Sequence, residues 1–310
     1  MLIQASNLKK YYKKVKAVDD IDIEVREGEI LGILGPNGAG KSTTISMLSS
    51  LIKPDGGKIC FKGTDISKDP GVIRKTLGIV PQDVALYPDL SALENLKFFG
   101  RLYRLRGEEL DGRIEEVLDL LGLNGRARDR IKHYSGGMKR RVNIGAALLH
   151  HPEILIMDEP TVGIDPQSRN HILETVKQLN SKGITIIYTS HYMEEVEFLC
   201  DRIYVMDHGR IIASGTKEEL KALISKDETI EMQVDRADER FTAKLKGLID
   251  VKHVDENGDR ITIISNKNSG ILSRIFEAAL ENGVNLKSIQ IKVPTLEDVF
   301  LYLTGRGLRD

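Results

Sequence analysis

The chain has 310 residues, 41% hydrophobic and 29% charged, which is the composition of an ordinary globular protein with room for about two domains. Lysine and arginine number 45 against 46 aspartates and glutamates, a formal net charge of -1, so there is no global electrostatic case for nucleic acid and none is expected as a partner. Cys60 and Cys200 match no metal spacing and are expected as reduced thiols in a cytosolic compartment, and no apolar run approaches the roughly 18 residues that cross a bilayer.

Met1-Leu2-Ile3 gives way at once to polar residues and to the run Lys9 to Lys14, KKYYKK, so no secretory signal is expected. In that run Tyr11 reads as part of a solvated basic face and Tyr12 as a candidate for stacking on a base. Ile21, Ile23 and Val25 alternate with charged residues, the period of a half-buried strand. After the turn Glu27-Gly28, the apolar run Glu29 to Leu34 reads as a buried parallel strand. Gly35-Pro36-Asn37-Gly38-Ala39-Gly40-Lys41-Ser42 then fits G-x-x-x-x-G-K-[ST] at every fixed position. Ile45, Leu48 and Ile52 follow at helical spacing and predict a helix that Pro54 stops. A strand, a glycine-rich turn and a helix start gather backbone N–H groups and the positive end of a helix dipole at one point, where polyphosphate can sit. Lys41 is expected to reach the β- and γ-phosphates, the Ser42 hydroxyl to take a place on Mg²⁺, and Thr43 to lie beside them in the first helical turn.

Gly56-Gly57 and Ile59 to Gly63 read as a turn and a strand in the same antiparallel sheet as the first strands. Leu77 to Val80 is another short strand, ending in Pro81-Gln82. Ser91-Ala92-Leu93-Glu94 is a capping box, after which Leu93, Leu96, Phe99 and Leu102 keep helical spacing; Ile114, Val117, Leu118 and Leu121 make a second helix that stops at Gly122. A wholly helical insert over about residues 84–151 is therefore expected to interrupt the α/β pattern. Within it, Tyr134-Ser135-Gly136-Gly137-Met138 opens a basic helix; Ser135, Gly136 and Gly137 read either as a second anion site or as a plain serine N-cap.

The α/β pattern resumes with Ile154 to Met157, closed by Asp158-Glu159-Pro160. Adjacent carboxylates at the carboxyl end of a strand face opposite sides: Asp158 is placed to hold Mg²⁺ through water, leaving Glu159 free to polarise a water aimed at the γ-phosphate. A turn at Gly163 to Pro166, a helix through Ile172, Val176 and Leu179, and the β-branched strand Ile184 to Thr189 follow. That strand ends in Ser190-His191, which makes His191 a candidate phosphate sensor. A helix, strands Arg202 to Met206 and Arg210 to Ala213, and a capping box Thr216 to Glu219 complete a domain expected to end near Ile224.

From residue 225 to 310 the chain turns more polar and its elements read βαββαβ, the ferredoxin-like order, followed by a last helix. This accessory domain reads as regulatory or as a partner surface.

The phosphate loop, Gln82, Ser-Gly-Gly, Asp-Glu and His191, in that order and with a helical insert between Gln82 and Asp158, resemble the nucleotide-binding subunit of an ABC transporter over roughly the first seventy per cent of the chain. The resemblance implies a P-loop NTPase cassette of α/β class, a mixed sheet with an antiparallel β subdomain and a helical subdomain. It implies ATP and Mg²⁺ as cofactors and a homodimer stacked head to tail, each ATP held between Lys41 and Ser42 of one copy and Ser135 to Gly137 of the other. It also implies that Tyr12 stacks on adenine, that Gln82 senses Mg²⁺ and the attacking water, that Asp165 contacts the opposite copy, and that His191 contacts the γ-phosphate. The insert would dock a cytoplasmic helix of a separate polytopic membrane permease, placing the chain in the cytoplasm on the inner face of the cell membrane. The commonest signature, LSGGQ, is altered here at Tyr134 and Met138, which leaves the serine hydroxyl and glycine N–H groups in place. Val293 to Arg306, VPTLEDVFLYLTGR, resembles the tail of ABC-2 exporters, which include daunorubicin-resistance-like drug pumps and sodium or polysaccharide exporters.

An importer ATPase, and a soluble ABC ATPase acting on nucleic acid or the ribosome, are the alternatives. The long coiled-coil insert or second cassette that such soluble proteins carry is not seen. A P-loop GTPase or small-molecule kinase would leave Tyr134 to Met138 unexplained.

Overall fold

The structure is a computed structural model that describes residues 1–224, 227–236, 238–266, 269–292 and 294–304. The chain divides between Lys217 and Glu218 into two compact units.

The first unit opens with a long hairpin, β1 (Ile3–Tyr12) and β2 (Val15–Val25), followed by β3 (Ile30–Leu34) and α1 (Lys41–Leu48). β4 (Gly56–Phe61) returns antiparallel to β1 and turns into the two-residue β5 (Thr64–Asp65), giving a sheet of order β2-β1-β4-β5. Ile3 is paired with both Val25 and Phe61, so one apolar face forms by strand alternation and is buried. After α2 (Gly71–Arg74) come β6 (Leu77–Val80), α3 (Ala92–Leu102), α4 (Gly107–Leu120) and α5 (Gly136–Leu148). β7 (Ile154–Asp158), α6 (Pro166–Ser181), β8 (Thr185–Ser190), α7 (Met193–Leu199), β9 (Arg202–Asp207) and β10 (Arg210–Gly215) complete the unit, and α8 (Lys217–Ala222) begins at its end.

The second sheet has the order β10-β9-β3-β8-β7-β6, parallel except for β10. β3 and β8 are buried along their whole length, as continuous apolar runs between two parallel neighbours should be. The register aligns Leu34 with Ser190, Thr189 with Asp158 and Met157 with Val80. The carboxyl ends of β3, β8, β7 and β6 therefore stand in one row, the edge at which open α/β sheets receive ligands.

The insert between β6 and β7 is stapled by buried Leu96, Leu110, Ile114, Val117, Leu118 and Leu121. Its capping box forms as expected: Glu94 N–H donates to Ser91 Oγ at 3.2 Å and Ser91 N–H to Glu94 Oε2 at 2.8 Å. The insert is not wholly helical, however, because Ser91 and Arg130 form an antiparallel bridge and two short 3₁₀ turns, Asn124–Arg126 and Ile131–His133, precede α5. Nor does α1 reach Pro54. It ends at Leu48 because Ser50 takes a left-handed conformation (φ 56°) and Leu51 and Ile52 fold back onto the Ser46 carbonyl.

The far end of α5 is clamped to both its neighbours. Arg113 of α4 donates to the Leu148 and Leu149 carbonyls at 2.6 and 3.3 Å, and His150 Nε2 donates to the Leu77 carbonyl of β6 at 3.1 Å. Tyr103 stacks on the His150 ring at 3.8 Å.

In the second unit β11 (Asp227–Val234), α9 (Glu239–Lys246), β12 (Val251–Asn257), β13 (Arg260–Asn266), α10 (Ile271–Glu281) and β14 (Leu286–Lys292) form an antiparallel sheet of order β12-β13-β11-β14. This is the ferredoxin-like arrangement expected from the element order. Phe241, Leu245, Ile275 and Ala278 of the helices pack on Ile230, Met232, Val234, Ile261 and Ile263. α11 (Leu296–Thr304) starts from a Thr295–Asp298 capping box; Val293, Gly305 and Arg306 of the tail stretch, and Ser225, lie outside the described residues.

His150 yields a prediction. Burial, the main cause, pushes its imidazole below the ordinary range, and its Nδ1 has no hydrogen-bond partner. A histidine that stays neutral when folded but protonates when unfolded contributes stability that is present above about pH 6.5 and lost as pH falls below it. Denaturant melts between pH 7.5 and 5 should show this loss, and His150→Gln should flatten the slope; an unchanged slope would remove His150 as its source.

Candidate nucleotide site

The loop Gly35 to Gly40 is shaped by close backbone contacts. A Cβ on Gly35 would lie 2.4 Å from the Met206 carbonyl, and one on Gly40, at φ 105°, would lie 2.3 Å from the Ala17 carbonyl. Neither position can take a side chain, whereas Gly38 uses its positive φ (81°) in open space. Gly35 and Ala39 are buried, Pro36 and Gly40 half-buried, and Asn37 and Gly38 exposed. α1 starts directly at Lys41, with the Ser42 side chain exposed and Thr43 half-exposed in its first turn.

Lys41 is only 5% exposed, and its ammonium donates to the Gly35 and Pro36 carbonyls at 2.8 and 3.1 Å. It also meets Glu159 Oε1 at 2.9 Å, and Glu159 Oε2 lies 3.1 Å from His191 Nδ1. The first residue of α1 and the residues just past the ends of β7 and β8 thus form one ammonium–carboxylate–imidazole chain. The expectation of a free Glu159 is corrected: the side chain is 5% exposed and engaged at both oxygens. Its backbone has left the strand (φ 44°), and its N–H donates to Thr189 Oγ1 at 2.9 Å. Thr189 donates in turn to Asp158 Oδ1 at 2.7 Å, so one threonine hydroxyl binds the backbone of Glu159 and the carboxylate of Asp158.

Gln82 is exposed just past β6, and its carbonyl and that of Pro81 accept from Arg140 at 2.5 and 2.7 Å. Sequence reading passed over Arg140 as part of a basic run, yet it is 4% exposed. Thr189 was missed likewise. Both contacts join residues 31 to 59 positions apart, and only burial of a polar residue in an apolar helix or strand could have signalled them.

Ser135 caps α5, its Oγ accepting from Met138 N–H at 3.3 Å, with Gly136 exposed beside it. A Cβ on Gly137 would lie 2.2 Å from Ser168 Oγ, so this glycine is needed where α5 meets α6. Asp165 caps α6, accepting from Ser168 N–H at 2.9 Å, and that bond is the main cause holding its carboxyl below the usual range. Tyr134 is buried and its hydroxyl donates to the Arg126 carbonyl at 2.5 Å.

Tyr12 stands beside the turn of the β1–β2 hairpin, paired with Val15 and 47% exposed, with Lys10 Nζ 5.7 Å from its ring centroid. Tyr11 does not merely sit on a solvated face: its hydroxyl donates to Asp19 Oδ1 at 2.7 Å, and Arg210 reaches Asp19 Oδ2 at 2.8 Å. These two contacts hold the Asp19 carboxyl far below the ordinary carboxylate range. Gly209, in the β9–β10 turn, donates to the Ala39 carbonyl at 2.9 Å and accepts from Asp19 N–H at 2.8 Å. The hairpin that carries Tyr12 is therefore fastened to the phosphate loop.

Among the described residues no group of three or more His, Cys, Asp or Glu could hold a metal ion alone. The oxygens of Ser42, Gln82 and Asp158 are nevertheless the hard donors that suit Mg²⁺, an ion bound by few protein groups with phosphate and water completing its shell.

The ABC transporter family matches residues 18–162, and the C-terminal domain of DrrA1-3-like ATP-binding proteins matches residues 215–304. The linearmycin resistance ATP-binding protein LnrL of Bacillus subtilis is 51% identical over 100% of both chains. The daunorubicin/doxorubicin resistance ATP-binding protein DrrA of Streptomyces peucetius is 38% identical, covering 99% of this chain and 94% of its own. Among solved structures, cbiO1 of Clostridium perfringens, part of the ABC transporter complex cbiONQ, superposes with TM-score 0.66 at 31% identity, covering 71% of this chain and 90% of that one. A dimeric cassette bound to ADP and phosphate gives 0.64 at 28% identity, covering 69% and 98%. Phosphate loop, strand-end carboxylates and ferredoxin-like appendage together place the chain in the ABC transporter family, as an ATP-binding, ATP-hydrolysing subunit with a DrrA-like C-terminal domain.

Proposed function

We propose that this chain powers a drug-resistance type ABC-2 exporter by hydrolysing MgATP between two of its own copies. The observation that carries the reading is the Lys41–Glu159–His191 chain at the row of strand ends, beside a loop built for polyphosphate. Backbone N–H groups of Gly38 to Ser42 and the start of α1 receive the phosphates, Thr43 beside them, and Lys41 passes from Glu159 to the γ-phosphate oxygens. Glu159, relieved of that partner, orients the attacking water and takes its proton, while His191 holds the carboxylate and faces the γ-phosphate. Bound Mg²⁺ would neutralise charge on the phosphate oxygens from Ser42, Gln82 and Asp158. Tyr12 stacks on adenine.

Ser135, Gly136 and Gly137 of a twin, with its Asp165 alongside, complete each pocket, since a helix N-terminus with exposed Ser135 and Gly136 is suited to phosphate. Residues 1–224 form the ATPase domain, with 84–151 as its helical part, and residues 225–310 an accessory domain. Export then runs through a separate polytopic permease, against which the chain works at the cytoplasmic face of the membrane; among the described residues no helix is long and apolar enough to cross a membrane. Exposed Val84, Tyr87, Phe98 and Leu102 support docking of a permease helix on the insert, Tyr87 and Phe98 meeting edge to face at 4.9 Å. The relatives' names differ in cargo while the cassette is shared, so the permease selects the cargo.

Glu159→Gln should bind ATP at least as tightly as the parent, release phosphate about 10²-fold or more slowly, and run as an ATP-dependent dimer in size-exclusion chromatography. Parent-level phosphate release would remove Glu159 from its role. Lys41→Ala should weaken ATP binding by about tenfold or more; unchanged affinity by calorimetry would contradict the loop assignment. Gly137→Ala should lower the Tm and the ATPase rate together, and Ser168→Gly in the same chain should restore both by removing the atoms the new methyl meets. Failure of that rescue would mean that the α5–α6 approach is not what Gly137 serves.

A further inference from the structure

Glu195, on α7, is fully buried, and the cation nearest to it among the described residues, Arg169 Nε, stands 3.6 Å from Oε1, beyond hydrogen-bonding reach. Its carboxylate accepts from hydroxyls instead: Thr161 Oγ1 at 2.7 and 2.8 Å, Tyr188 Oη at 2.9 Å and Ser190 Oγ at 2.9 Å. Burial, chiefly, pushes the Tyr188 phenol far above its ordinary range, so it remains a donor. Burying a carboxylate is costly, and an apolar side chain would fill the same space without that cost, so its purpose is to be sought in what it holds.

What it holds are the two turns that carry the Glu159–His191 pair. Thr161 follows Glu159 by two residues, across a backbone held at φ 44°, where a side-chain-bearing residue is strained. Ser190 directly precedes His191, and its Oγ also accepts from Tyr192 N–H at 2.9 Å, closing the turn around the histidine. One carboxylate therefore grips the chain beside the glutamate and beside the histidine at once.

We infer that Glu195 is a positioning residue for ATP hydrolysis, fixing the mutual geometry of Glu159 and His191 through Thr161 and Ser190. The inference rests on the reading of Glu159 as the group that acts on water, and the test separates the two. Phosphate release by the full chain would be measured for Thr161→Val, Ser190→Ala, Glu195→Gln, Tyr188→Phe and Glu159→Gln, with melting curves for each. Thr161→Val and Ser190→Ala should each lower kcat about tenfold or more with KM for ATP within about twofold, because misplacement by less than an ångström costs chemistry before binding. Tyr188→Phe removes a hydrogen bond from the same carboxylate but grips neither turn, so it should lower the Tm while keeping kcat within about twofold. Should Glu195→Gln fail to fold, the two hydroxyl variants still decide. Parent-level kcat in Thr161→Val and Ser190→Ala, or an equal loss of kcat in Tyr188→Phe, would overturn the positioning role. Parent-level turnover by Glu159→Gln would instead overturn the reading beneath it.

Discussion

The salt bridge between Lys41 and Glu159 is the contact on which the site depends. Both side chains are 5% exposed, and removing two such charges from water costs more than their mutual attraction returns unless each finds further partners. Lys41 finds them in the Gly35 and Pro36 carbonyls, Glu159 in His191. The arrangement is therefore satisfied but exchangeable, since a polyphosphate offers the ammonium more negative charge than one carboxylate does. In the proposed mechanism, entry of the ligand and release of the glutamate are one event. A lysine and a glutamate in separate solvated positions could not be coupled in this way.

Sheet order brings the pair together. Lys41 and Glu159 lie far apart in sequence, and β8 stands between β3 and β7 with His191 at its end. The middle strand thus supplies the residue that bridges from its neighbour's carboxylate. Thr189, one register position earlier, ties Glu159 N–H and Asp158 Oδ1 and gives the adjacent carboxylates separate surroundings. Glu159 lies just past β7 at a left-handed φ, and its side chain reaches Lys41 while that of Asp158 reaches Thr189.

Much of this was legible in the sequence because the signals were local. The phosphate loop, the capping box at Ser91, the apolar runs of β3, β6 and β7 and the βαββαβ order of the second unit each need only neighbouring residues to be recognised. The misses share the opposite property. Ile52 kept helical spacing, but the left-handed conformation at Ser50 had already ended α1. Arg140 and Thr189 read as members of a basic helix and a β-branched strand, Glu195 drew no reading of its own, and the partners of all three arrive only with the tertiary fold. Tyr134 is a milder case: the sequence marks it as a departure from leucine, and the structure adds that its hydroxyl donates to the Arg126 carbonyl.

Gly209 has no part in the chemistry, yet it meets the phosphate loop at Ala39 and the first hairpin at Asp19 through its own two backbone groups. Under the proposed roles of Tyr12 and the phosphate loop, the receptor for the base and the receptor for the phosphates share that one joint. Little ordering entropy is then left for the nucleotide to overcome, and the spacing between its two ends is measured against a fixed ruler, not a flexible arm.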